Sequence, residues 1–164
     1  MPKINVGFSK NKMLISKLIR WLEKTEYSHV YLRFHVSQLN RDVIYEAVGS
    51  NVRFVGENTW NFNTVVEEYE WEVSEEEYKQ ILQFAIDTSG KHYGIFSMLG
   101  LGIVRVASYL GITLNNPFSD GDKNFVCSEL AAIIMKKYFL NTSQDNIFPK
   151  DVNNVCKKFL VQVK

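Results

Sequence analysis

Cys127 stands at the front of NFVCSELAAIIMKKYF, residues 124–139, just after a loop rich in Asp, Gly and Asn. The residues after it read as a buried helix, so the thiol falls on the first turn, among unpaired backbone N–H groups at the positive end of the helix dipole. That position favours a thiolate, the form in which sulfur attacks an acyl carbon, if a base is within reach. Three histidines are candidates. His92, in SGKHYG, lies just beyond a predicted helix end, where an exposed or capping imidazole is the ordinary reading. His35 lies toward the turn end of its strand, where a satisfied polar side chain needs no function. His29 differs because it opens that strand after Tyr27 and Ser28, and from there a ring can project from the sheet rim toward a helix end and Cys127. Glu46 is a carboxylate inside the otherwise apolar VIYEAV. It is either an acid on the solvent face of a sheet or the cross-strand partner of an imidazole, whose tautomer it would fix and whose protonated form it would support.

The elements that must position these groups are given by periodicity. KINVGF alternates Ile4, Val6 and Phe8 as a short strand, and Leu14, Leu18, Trp21 and Leu22 recur at helical spacing between Asn11 and Lys24. In HVYLRFHV, Val30, Leu32, Phe34 and Val36 alternate with polar positions, and the turn SQLNRD leads into VIYEAV, which predicts an antiparallel hairpin. TVVEEYEWEV predicts a further strand, with Val65, Tyr69, Trp71 and Val73 on one side and a solvated face of Glu68, Glu70 and Glu72 on the other. Ser74 and Glu77 form a capping box opening a helix that runs to Gly90. Residues 95–114 are mostly apolar but carry Arg105 near the centre, which predicts a buried helix or a helix-turn-helix insertion and not a lipid-spanning segment. Pro149 opens a short last helix, and FLVQV closes the chain as a strand. Strands and helices mix without regular alternation, so the class is α+β.

Taken in order, YSHVYLRF, VIYEAVG, FVCSELAA and FPKDV resemble the circularly permuted NlpC-type, papain-like cysteine hydrolases, including their YiiX/YaeF-like branch. In that family the histidine strand precedes the cysteine helix. The resemblance implies a permuted papain-like fold over residues 1–164, with an antiparallel sheet packed against the nucleophile-bearing helix. It makes Cys127 the nucleophile, His29 the general base and Glu46 the residue that orients the imidazole. Tyr93, in GKHYG, matches the family tyrosine near the cleft and would bind substrate or support the oxyanion; a core aromatic is the alternative. The implied activity is that of a cysteine peptidase or amidase cleaving an amide, peptide or isopeptide bond, without metal or organic cofactor. Two further readings use the same residues: an acyltransferase or lipid esterase with residues 95–114 as a lipid-facing surface, and a catalytically silent binding module.

Composition bounds these readings. The chain has 164 residues, 46% of them hydrophobic and 23% charged, with a formal net charge of +1, which fits one globular domain without staples. With no dense block of Lys or Arg, neither nucleic acid nor an anionic membrane is expected as the main partner; the substrate is a peptide, isopeptide or acylated molecule, and membrane contact is the lesser option. MPKINVGFSK lacks a signal-peptide core, so a cytoplasmic chain with reduced Cys127 and Cys156 is expected. Cys156, among Val152, Val155 and Phe159, reads as core, and Glu129 as a packing or capping residue. DGDKN fails as a calcium loop because Phe125 and Ala131 occupy the sixth and twelfth positions, and no histidine or cysteine shows zinc-ligand spacing.

Overall fold

The computed structural model describes residues 1–49, 51–61, 63–92, 95–115, 126–139 and 147–164. The strands are β1 (Lys3–Lys10), β2 (His29–Val36), β3 (Arg41–Val48), β4 (Asn51–Gly56), β5 (Thr64–Glu72) and β6 (Val161–Gln162). The helices are α1 (Leu14–Glu23), α2 (Glu75–Thr88), α3 (Ile95–Tyr109), α4 (Cys127–Ile134) and α5 (Pro149–Phe159). The six strands form one antiparallel sheet in the order β4-β3-β2-β1-β5-β6, so the class is α+β.

Alternation decides the two faces of this sheet. Val30, Leu32 and Phe34 of β2 enter the main core, which α2, α4 and α5 cover with residues such as Ala85, Leu130 and Val152. The intervening positions face the other side, where Tyr31 and Ile44 pack with Trp60, which comes after a 3-10 turn at Glu57–Thr59. Gly7 is opposite Tyr31, and a Cβ there would overlap the tyrosine ring, so the absent side chain is what lets Tyr31 lie flat across β1.

The hairpin predicted for residues 29–48 is present, with Tyr31 paired to Glu46 and Phe34 to Val43. The Ser74–Glu77 capping box is also formed, each side chain bonding the other residue's backbone N–H. β5 departs from its predicted faces. A bulge opposite Phe8 and Ser9 shifts the register, so Val65 packs against the Trp60 cluster instead of sharing the Tyr69 face. Glu68 is not solvated: it is buried, where it accepts hydrogen bonds from Tyr31 Oη (3.2 Å) and Arg33 Nε (2.8 Å).

α1 is turned inside out relative to an ordinary surface helix, whose apolar stripe faces a core. Its buried residues are Ser16 and Glu23, while Leu14 and Trp21 are 83% and 73% exposed. The cause is a buried ion pair. Glu23 is held by Arg105 of α3 through Nε (2.6 Å) and Nη2 (2.9 Å), and Ser16 hydrogen-bonds Ser28 (2.6 Å), so the polar side of α1 faces inward. The expectation for residues 95–114 was a buried helix or a helix-turn-helix insertion; among the described side chains of α3, Val104 and Ala107 are buried while Ile103, Val106 and Tyr109 are exposed. Among the described residues no helix is long and apolar enough to cross a membrane.

Candidate active site

α4 begins at Cys127, after an extended Val126. Two anchors fix this start. Glu129 reaches back to accept from the Val126 N–H (3.2 Å), the capping role expected of it, and Ser128 Oγ donates to the Ile147 carbonyl (2.6 Å) just ahead of α5. α5 opens on Pro149, with Asp151 accepting from the Phe148 N–H (3.0 Å), which accounts for the FPKDV motif as a helix start.

His29 is the first residue of β2, at the end of the sheet where α4 arrives. Its ring, 7% exposed as a residue, lies beside the Cys127 thiol, close enough for the sulfur to act on its charge, and 3.0 Å from Glu46 Oε2 through Nε2. A carboxylate can only accept, so Nε2 is the ring nitrogen that donates to Glu46. Glu46 shares a face with His29 because it pairs with Tyr31, two residues further along β2. The three residues read from the sequence therefore converge.

The sequence reading missed what holds Glu46. Oε2 also accepts from Trp60 Nε1 (2.8 Å), and Oε1 accepts from Arg53 Nε (3.1 Å) and Nη2 (2.9 Å). Arg53 lies directly opposite Glu46 on β4, a strand from a segment that carried no recognised motif. The available signal was the Gly49-Ser50 step between VIYEAV and the alternating NVRFVG, a hairpin cue that would have set Arg53 beside Glu46.

These contacts set the charges. Burial works to raise the Glu46 pKa, but the His29 contact, then Trp60 and Arg53, outweigh it and hold the carboxylate down to about 2. Burial works to lower the His29 pKa, but the contacts with Cys127 and Glu46 prevail and raise it to about 10. Both contacts thus favour the charged form of the ring, and the ring in turn favours the charged form of Glu46. Cys156 is wholly buried, and its thiol is pushed up to about 12, mainly by desolvation, so it is the inert core cysteine expected.

The other candidates are apart from this cluster. His35 is exposed and pairs with Asp42 (2.7 Å), its cross-strand neighbour; His92 is exposed and bridges to Asn51 at the start of β4. Tyr93 and the DGDKN segment lie outside the described residues. No group of three or more His, Cys, Asp or Glu side chains placed to hold a metal ion occurs among the described residues.

Cys127 lies in the floor of an open trough of about 500 Å³ between α1 and α3. Its walls are Ile15, Leu18, Ile19 and Leu22 on one side and Ile103, Val106 and Leu110 on the other, and the floor continues into Phe148 and Pro149. The volume is that of an ordinary small-molecule site, and the lining is almost wholly apolar.

No protein-family model and no curated protein matches this sequence. Among solved structures, the chain is similar to the crystal structure of the metalloprotein YiiX (DUF1105) from Escherichia coli O157:H7, at 17% identity and a TM-score of 0.54, covering 99% of this chain and 95% of that one. The fold is therefore YiiX-like along nearly its whole length.

Proposed function

We propose that this chain is a cysteine-dependent acyl hydrolase of the permuted papain-like type, in which Cys127, His29 and Glu46 act through a thioacyl-enzyme. The observation that carries the proposal is the contact chain from the α4 thiol through the His29 ring to the caged Glu46 carboxylate. A protonated imidazole beside sulfur stabilises the thiolate as an ion pair, and the α4 dipole acts in the same direction. The thiolate attacks the acyl carbon, a C–S bond forms, and the carbonyl oxygen becomes an oxyanion that the Cys127 backbone N–H can meet. The tetrahedral species collapses with loss of the amine or alcohol, which takes the proton from His29. Neutral His29 then deprotonates a water, whose oxygen displaces the sulfur and releases the acid.

An amide, peptide or isopeptide bond suits this chemistry. The trough favours one class among the acyl donors: its apolar walls offer few partners to a polar peptide backbone and match an acyl chain, so an acylated amine or ester, cleaved or transferred, comes ahead of a peptide. The test is turnover of long-chain acyl amides, acyl esters and unmodified peptides by wild-type and Cys127→Ala protein. Iodoacetamide at pH 6 should label Cys127 far faster than Cys156, with acylation trapped on Cys127. Equal, slow labelling of both cysteines would defeat the proposal.

A further inference from the structure

We infer that the outer faces of α1 and α3 are a docking surface for an anionic membrane, which seats the mouth of the trough on lipid. Exposed apolar side chains are gathered here: Leu14 and Trp21 on α1, Tyr109 at the end of α3, and Leu110 and Ile112 just beyond it. A contiguous apolar surface of this kind marks an interaction site. Its charge selects the occupant. Residues 10–24 hold Lys10, Lys12, Lys17, Arg20 and Lys24 against one carboxylate, Glu23, which is buried and neutralised by Arg105. Residues 95–115 contain no acid. Lys10 is engaged by the exposed Glu26 (3.2 Å).

A near-neutral chain thus concentrates a net-cationic rim beside its apolar patch, Lys12, Lys17, Arg20 and Lys24 outnumbering its acids. A second copy docking on the same face would bring two such rims together and be repelled, whereas anionic headgroups meet them with opposite charge. Tryptophan beside lysines with apolar stems is the composition of helices that lie in the headgroup region. The inverted burial of α1 supplies the geometry, because the helix is fixed to the body by Ser16 and Glu23 and presents Leu14, Leu18 and Trp21 outward. The benefit to catalysis rests on the acyl chemistry proposed above: an acyl chain could pass from bilayer to Cys127 along the trough without crossing water. The docking itself does not depend on that chemistry.

Trp21 is a built-in reporter, since Trp60 and Trp71 are only 8% and 2% exposed. Cys127→Ala protein of residues 1–164 is titrated with phosphatidylcholine vesicles, with and without phosphatidylglycerol, while sedimentation and tryptophan emission are recorded. The expected result is binding with a blue shift on anionic vesicles, weakened by salt, and reduced about tenfold or more by the double change Lys12→Glu and Lys17→Glu. Leu18→Asp should abolish the blue shift while leaving the circular dichroism spectrum intact. No blue shift on anionic vesicles, indifference to these changes, or a dimer that Leu18→Asp dissolves would each overturn the docking surface. Turnover of a short, water-soluble acyl ester by the wild type separates the two ideas: turnover without vesicle binding defeats docking alone, while binding without turnover upholds docking and defeats the hydrolase.

Discussion

Glu46 is more heavily supported than the histidine it bonds. A buried carboxylate that accepts four N–H groups is stable only as a set, so removing one donor leaves charge uncompensated. Trp60→Phe should therefore cost about 1–3 kcal/mol in urea unfolding through the lost donor, with the smaller ring adding to it; an unchanged midpoint would show that water replaces the indole donor. Catalytic effects should rank differently. His29→Ala removes both the proton carrier and the partner of the sulfur, and should lower kcat/KM by about a thousandfold or more. Glu46→Gln leaves the ring able to bond, so its loss should be smaller, and the reverse ranking would mean that another group orients the imidazole. Cys127 and His29 could be read from sequence by place, at a helix start and a strand start, and Glu46 through the family resemblance, since a charge amid apolar residues left a solvent-facing acid equally open. Arg53 and Trp60 could not, because an exposed-looking arginine and a loop tryptophan acquire meaning only once β4 and the turn after it fold over Glu46.

At the level of elements, β2 and β3 carry the site, and β1 supports them from the other side. Gly7→Ala would push a methyl into the Tyr31 ring, and Tyr31 packs on Trp60 with centroids 4.5 Å apart, so the disturbance would pass to the Glu46 cage. A loss of about 1–3 kcal/mol is expected, with slower cysteine labelling as the accompanying sign; a variant of wild-type stability would mean that β1 yields without moving the ring. The alternation of β2 and β3 gave their pairing directly, since a period of two admits only one inward set. Periodicity was less informative for α1. It locates a stripe of Leu14, Leu18 and Trp21 but says nothing of which side faces the body, and here the inward side is chosen by Glu23 meeting an arginine 82 residues away. The bulge in β5 was hidden for a related reason, as it shows only once β5 is laid against β1, where the register shifts opposite Phe8 and Ser9.

For the molecule as a whole, the two titrating partners define a pH window. His29 is raised from 6.5 to about 10, so its contribution to stability is complete below pH 6.5 and disappears as pH climbs through about 10. Glu46 is lowered from 4.5 to about 2, so its contribution is complete above pH 4.5 and disappears as pH falls through about 2. Stability from this site should accordingly peak between pH 4.5 and 6.5, and His29→Gln should flatten the alkaline limb of a urea-unfolding series. An alkaline limb that persists unchanged in the variant would assign the loss to other groups.

The bidentate bond between Glu23 and Arg105 is a rivet joining the two banks of the trough. Banks pinned at one point hold a set gauge, since parting them would strand a carboxylate that has little access to water. The consequence is selection by girth: slender, unbranched tails should inhibit well, and ring-bearing or branched ones of equal hydrophobicity poorly. Glu23→Gln, which loosens the rivet, should narrow that difference in a competition assay.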